Sequence, residues 1–449
     1  MNSDSLLLQC FTQPKLNKSQ SDCTLEYKSQ FNCGIGRNDR FTKEKEKEKI
    51  RRHLPVGSGQ YSVGCLDIMC KHSEKSSFFR LYYPIEKTDI YKRDKQWPLW
   101  LPRKQYGIGY ASFIGRNKKL FGKMFNWMGG DVYVPAIWQH SPLNSGKPYP
   151  VVIFSHGIGG NRTCNTTVCC ELASQGYIVA AVEHRDGSAS MTYQLIENIQ
   201  RAVNVSHSNG HHIHRTHSYS EKWMEFDRSP PRWDDYDFRN KQVHQRSEEC
   251  ILALDVLTDL NKGATILNQL GGNYNLKLFK GLLDFSKVSM VGHSFGGSTT
   301  VCTLSKDKRF RVGVMLDGWM HPLDEEVYGN ITQPLLMINM ETFQWQENVD
   351  QMQRLQKDFS VQRPMITIKG TCHQSVTDFQ FLVKKTLGKF MDVRHELSPK
   401  IAIDISNKAT IGFIRKQFGE TGKETYDSII SGANEYVVSG PIIARERPV

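Results

Sequence analysis

Short, largely apolar runs punctuate this chain at residues 78–83, 151–154, 178–182, 288–291, 312–316, 334–340 and 365–368. Runs this short, without strict polar alternation, predict strands buried on both faces. Between several of them lie stretches with helical spacing. In residues 242–260, Cys250, Ala253, Leu254, Leu257 and Leu260 fall on one face and predict a core-facing helix. Strand and helix in alternation predict an α/β protein, with a mainly parallel central sheet covered by helices on both faces. The chain carries no internal repeat.

Two stretches break the rhythm. Residues 190–241 are polar and aromatic, with His207, His211, His212, His214 and His217 close together. These histidines lack fixed ligand spacing and sit among serine and asparagine, so an insertion loop without a metal site is expected. Residues 1–55 are polar, and 43–49 alternate lysine with glutamate. They are expected to form a disordered basic arm, with order starting near Val56.

Candidate chemistry is concentrated at the ends of the apolar runs. Gly292, Ser294 and Gly296 form a G-x-S-x-G pentapeptide directly after the run 288–291, ahead of helix-compatible residues 298–304. This is the pattern of a nucleophile elbow, in which a serine is exposed on a sharp strand-to-helix turn. A serine hydroxyl is a poor nucleophile unless a base takes its proton and donors hold the oxyanion. His373, just after the run 365–368 within Gly370-Thr371-Cys372-His373-Gln374, stands where such a base belongs; His321 comes too early and His395 lies in a charged stretch. Two acids fit the remaining role. Asp317 ends the run 312–316 and Glu341 ends the run 334–340, and spacing leaves both open. One oxyanion donor is expected at the amide of Phe295, after the nucleophile. The second is expected from the H-G-x-G loop His156-Gly157-Ile158-Gly159.

Together these motifs resemble the platelet-activating factor acetylhydrolase family. The likeness rests on Ser155-His156-Gly157-Ile158-Gly159, Val182-Glu183-His184-Arg185-Asp186, Gly292-His293-Ser294-Phe295-Gly296-Gly297, Leu316-Asp317-Gly318-Trp319-Met320 and Gly370-Thr371-Cys372-His373-Gln374. It runs from about Tyr61 to Gln417 and keeps the family's order. The resemblance implies an α/β-hydrolase fold over 56–440, followed by a short tail at 441–449. It also implies a calcium-independent serine phospholipase A2 with no metal or organic cofactor. Carried over by motif, it implies Ser294 as nucleophile, Asp317 in preference to Glu341 as acid, His373 as base, and the amides of Ile158 and Phe295 as oxyanion hole. The expected reaction is hydrolysis of the short or oxidised sn-2 acyl ester of platelet-activating factor and related phospholipids. The rivals are a general carboxylesterase or thioesterase on the same fold, and a non-catalytic lipid-binding protein. Gly160-Asn161 departs from the small-aromatic pair usual after this loop.

Charge and targeting narrow the partners. Lysine and arginine number 58 against 46 acids, a formal charge of +12. No nucleic-acid motif accompanies the charge, so an anionic lipid surface suits it better than nucleic acid. Residues 110–128 set Phe113, Ile114, Leu120, Phe121, Met124, Phe125 and Met128 at helical spacing beside Arg116, Lys118, Lys119 and Lys123. They are expected to form an amphipathic helix at the lipid interface, and residues 381–391 a second one. No run is long enough to cross a bilayer, and Leu6-Leu7-Leu8 lacks the flanks of a secretion signal. The branch resembled is therefore the intracellular one, and the location expected is cytoplasmic with peripheral membrane contact. The 11 cysteines then read as reduced thiols, and the sequons at Asn161 and Asn330 as coincidences.

Overall fold

The computed structural model describes residues 50–70, 77–198, 218–228, 235–383, 388, 393–421, 424–430 and 434–443. Its strands in chain order are β1 (Ser62–Met69), β2 (Phe78–Ile85), β3 (Ile137–Trp138), β4 (Tyr149–Ser155), β5 (Ile178–Val182), β6 (Met191–Asn198), β7 (Ser218–Glu225), β8 (Leu283–His293), β9 (Val312–Leu316), β10 (Leu335–Met340), β11 (Met365–Ile368) and β12 (Val437–Ser439). All but β6 and β7 join one sheet in the order β12-β11-β10-β9-β8-β4-β5-β2-β1-β3. The strands β11, β10, β9, β8, β4 and β5 run parallel, while β12 and β2 pair antiparallel at the two ends of that block. Each apolar run read from the sequence is one of these strands.

Alternate side chains of a strand go to opposite faces, and here both faces are apolar. In β5, Ile178, Ala180 and Val182 join one core while Val179 and Ala181 join the other. This explains the unbroken runs. The first core is closed by α4 (Asp235–Lys262) and α5 (Phe295–Lys306), whose Val243, Cys250, Leu254, Val301 and Cys302 belong to it. The second is closed by α3 (Thr166–Ser174) and α6 (Pro399–Gln417), through Val168, Leu172, Ile403, Ala409 and Phe413. Arg80 is the one charge inside the run at β2. It lies opposite Asp67 of β1, donates to both oxygens of that carboxylate at 2.6 and 3.0 Å, and is thereby tolerated in the interior.

Three expectations need correction. The segment 190–241 is not simply a loop: β6 and β7 form an antiparallel hairpin in which Tyr193 faces Trp223, and α4 already begins at Asp235. Its five clustered histidines lie outside the described residues. The single helix expected over 110–128 is two, α1 (Lys104–Phe113) and α2 (Lys118–Gly129). Gly115 takes a φ of +65° and the Asn117 side chain accepts from the amides of Lys119 and Leu120, so one helix is stopped and the next is capped. Phe113, Ile114, Phe125 and Met128, expected to meet lipid, are buried in the core. Of residues 381–391, only 381–383 and 388 are described. Residues 1–49 and 444–449 also lie outside the description, but the last residues assigned to the arm pack on the body. Leu54 is buried, and Arg52 donates to the carbonyls of Met128 and Leu382.

The tightest approach in the fold lies where β8 turns into α5. A Cβ on Gly292 would stand 1.9 Å from the Gly296 carbonyl oxygen, and one on Gly296 would stand 2.1 Å from that of Ser155. Neither obstacle is a side chain that can swing away. Gly292→Ala is expected to destabilise the protein by about 3 kcal/mol through overpacking. Urea unfolding against wild type checks this, and a loss under about 1 kcal/mol would contradict the approach.

Candidate active site

Ser294 sits between the last residue of β8 and the first of α5, with φ +58° and ψ −119°. A residue with a Cβ avoids this region unless its surroundings hold it there. The hold comes from both sides of its peptide: the Ser294 amide donates to Leu316 O at 2.9 Å, and its carbonyl accepts from the amides of Gly297 at 2.8 Å and Trp319 at 3.1 Å. The elbow is thus tied to the end of β9 and to the turn beyond it.

That turn carries Asp317, which also has a positive φ of +51°. Its Oδ1 accepts from the Met340 amide at 2.7 Å, and its Oδ2 lies 2.6 Å from His373 Nδ1. His373 Nε2 in turn lies 2.9 Å from Ser294 Oγ. Serine, imidazole and carboxylate therefore form one hydrogen-bonded chain, assembled from the ends of β8, β9 and β11. Glu341 does not join it. Its Oε2 accepts from the Gly370 amide at 2.5 Å, so it braces the loop that carries His373. Of the two acids that spacing left open, Asp317 is the one whose carboxylate contacts the imidazole. His321 stacks on Trp319 and makes no contact in this chain of hydrogen bonds.

The imidazole is fixed on its faces as well. Phe343 stacks on it with ring centroids 3.7 Å apart, and His293 lies on it at 4.8 Å. No motif announced Phe343, since it stands alone in a loop after β10. Burial disfavours the imidazolium and pushes the His373 pKa down to about 3, so the ring is neutral at pH 7 and able to accept a proton. Burial also pushes the Asp317 carboxyl up, opposed by the Met340 amide.

Ser294 opens onto a cleft lined by Gly157, Ile158, Gly159, His293, His373 and a wall of apolar side chains. That wall is Tyr110, Phe113, Ile114, Phe125 and Phe379, drawn from α1, the loop after it, α2 and the segment following His373. Gly157 brings its loop against the nucleophile, since a Cβ there would lie 3.0 Å from that of Ser294. Asn161 is buried and donates to Tyr110 OH at 2.8 Å, so this sequon has no room for a glycan. Of the two amides expected to hold an oxyanion, that of Phe295 opens α5, where backbone donors lack intrahelical partners, and Ile158 lines the cleft. Among the described residues, no group of three or more His, Cys, Asp or Glu side chains is placed to hold a metal.

The same architecture is seen in a solved ferulic acid esterase from Streptomyces cinnamoneus, with a TM-score of 0.57 over 86% of this chain and 99% of that one. Sequence identity there is 17%, so the likeness is one of fold: an α/β-hydrolase. Closer relatives are proteins named platelet-activating factor acetylhydrolase. That of Canis lupus familiaris is 38% identical over 388 residues, 86% of this chain and 82% of its own length. That of Gallus gallus is 36% identical over 390 residues, 86% of this chain and 89% of its own length. The family described as platelet-activating factor acetylhydrolase, isoform II, matches residues 46–437, and the chain belongs to it.

Proposed function

We propose that this protein is a serine esterase that cleaves the sn-2 acetyl ester of platelet-activating factor and the short or oxidised sn-2 esters of related phospholipids. The observation that carries the reading is the unbroken chain from Ser294 Oγ through His373 to Asp317 at the floor of an apolar cleft. Relatives over most of the chain bear the name of that activity.

On this reading His373 Nε2 takes the Ser294 proton as Oγ attacks the ester carbonyl. The imidazolium so formed is disfavoured by burial, and the Asp317 carboxylate at 2.6 Å compensates. The negative tetrahedral oxygen is held by the amides of Ile158 and Phe295. Collapse expels the lyso-lipid alkoxide, which takes the proton from His373. Water, deprotonated by the same nitrogen, then attacks the acetyl-enzyme and releases acetate. No step calls on calcium, so excess EDTA leaves turnover unchanged on this reading.

The reading places the protein in the cytoplasm and at lipid surfaces. Among the described residues, Cys65, Cys164, Cys169, Cys170, Cys250 and Cys302 are free thiols, which suits a reducing compartment. Among the described residues, no helix is long and apolar enough to cross a membrane. Lipid contact is assigned to the outer side of α2, where Leu120 is 66% and Trp127 79% exposed beside Lys119 and Lys123. Leu120, Lys119 and Lys123 belong to the set first expected there and Trp127 does not, while Phe113, Ile114, Phe125 and Met128 of that set lie in the core or the cleft wall.

Ser294→Ala should abolish acetyl-ester hydrolysis, and retained turnover would remove the serine mechanism. Wild type should prefer an sn-2 acetyl phospholipid to a long-chain one in kcat/KM; the reverse preference would point to a general esterase. Asp317→Asn should lower kcat by about 10⁴-fold, and Glu341→Gln by far less. A larger loss from the Glu341 change would contradict the assigned acid. The double variant Leu120→Ala with Trp127→Ala should weaken sedimentation with phosphatidylserine-containing vesicles by about tenfold while sparing hydrolysis of a soluble acetyl ester. Equal vesicle binding would move the lipid contact elsewhere.

A further inference from the structure

A second hydrogen-bonded Ser–His–acid chain lies behind the active site. Ser155 Oγ is 2.8 Å from His184 Nε2, and His184 Nδ1 is 2.6 Å from Glu249 Oε2. All three residues are buried, and none lines the cleft. Glu249 accepts from the Arg185 amide and Gln245 Nε2 on its other oxygen, and burial pushes its carboxyl up to about 8, so one proton lies between Glu249 Oε2 and His184 Nδ1. Ser155 Oγ also accepts from Arg246 Nη2 at 3.1 Å. Ser155 has no access to an ester. Its chain must serve another purpose.

That purpose is read from the next residue. His156 Nδ1 lies 2.7 Å from Gly157 O, an atom that can only accept, so Nδ1 carries a proton. The His184 amide points at His156 Nε2 at 3.3 Å and can only donate, so Nε2 carries none. His156 is thus neutral and in one tautomer. Burial, with the Arg246 charge beside it, also holds its pKa well below the ordinary histidine range. Arg246 donates to His156 O and reaches Ser188 Oγ and Thr299 Oγ1, and its guanidinium lies 4.5 Å from the centroid of the Phe295 ring. One buried cation therefore spans the loop after β4 and the first turn of α5.

The Gly157 carbonyl accepts from His156 Nδ1 and from the Gly160 amide at 3.0 Å, which fixes it toward the inside of the loop. In a trans peptide the C=O and the following N–H point in opposite directions. The Ile158 N–H is then turned outward, on the side of a residue that lines the cleft with Ser294. We infer that His156 is a positioning residue for the oxyanion hole: held in its Nδ1–H form by the His184 loop, it clamps the Gly157–Ile158 peptide so that the Ile158 amide faces the reacting carbonyl. The Glu249–His184–Ser155 chain and Arg246 are the frame that holds His156 in place.

The inference rests on the esterase reading, and the experiment separates the two. His156→Asn places an N–H donor near the Nδ1 position, His156→Gln near Nε2, and His156→Phe supplies none. In proteins whose thermal melts show them folded, the Phe and Gln variants should lose about 10²-fold in kcat for acetyl-ester hydrolysis, as for a lost oxyanion donor, with KM little changed. Their affinity for a trifluoromethyl ketone, which forms a tetrahedral oxyanion on the serine, should fall in parallel while lysophospholipid affinity holds. Asn should recover most of both losses. Equal kcat for Phe and Asn, or a kcat loss without a loss of ketone affinity, overturns the inference. A wild type inactive on every ester overturns the esterase reading instead. Should the variants fail to fold, a crystal structure of the wild-type Ser294 phosphonate adduct decides the matter. The phosphonyl oxygen should accept from the Ile158 amide with His156 Nδ1 still on Gly157 O, and a peptide turned the other way overturns the proposal.

Discussion

The backbone of Ser294, locked at φ +58°, is the constraint on which the site depends. Such a conformation costs on the order of 1–2 kcal/mol for a residue with a Cβ. Three backbone hydrogen bonds to Leu316, Gly297 and Trp319 hold it there. Those bonds are possible only because α5 starts against β8 and β4 with no Cβ on Gly292 or Gly296. Asp317 occupies the same region of φ one strand away and is held by its amide on Ile338 O. Two adjoining strands thus end in paired left-handed residues, and the pairing aims hydroxyl and carboxylate at the same imidazole. Strain in the backbone becomes order in the side chains.

Around this centre the fold buries many charges, each in company. Arg162 reaches Asp67 at 2.8 Å and also pairs with Glu183, while Arg80 takes the rest of Asp67. Tyr106 OH and Thr192 Oγ1 complete Glu183 at 2.7 Å each. Asp378, five residues beyond His373, accepts from the amides of Thr166 and Thr167, from Thr167 Oγ1 and from Trp100 Nε1. Removing one partner from any such group would strand a buried charge or donor, which costs far more than the pair contributes. These networks join α1, α3, the β6–β7 hairpin and the His373 loop into one support. They specify position more than they add stability.

Much of this was legible in the sequence because each reading rested on a local rule. Seven apolar runs are strands, the glycines around Ser294 mark the elbow, and His373 follows β11 as chain order requires. What stayed hidden depended on three dimensions. Asp317 and Glu341 both end apolar runs, and only the turn at Asp317, with φ +51°, brings its carboxylate back onto the imidazole. The β6–β7 hairpin escaped because its apolar alternation, Met191, Tyr193 and Leu195, is short and lies in a segment dominated by polar residues. Gly115 stops a helix that the apolar spacing carries straight through. Phe343 has no motif at all, since its role comes from packing on a ring brought from another strand.

The break at Gly115 changes how the cleft and the surface relate. A single helix over 110–128 would present one apolar face and could serve either the core or a lipid. Two helices with separate axes divide the buried and exposed apolar positions between them. Phe113 of α1 and Phe125 of α2 turn inward and wall the cleft, while Leu120 and Trp127 of the same α2 turn outward beside Lys119 and Lys123. Gly122 packs on Ile108, so a bulkier residue there would push α2 off α1 and shift cleft wall and outer face together. That outer face lies only a helix diameter, roughly 10 Å, from the cleft wall built by the same helix. On the proposed reading, contact with a lipid surface and the shape of the cleft would be carried by one short rigid element, and a change to its seat would alter both.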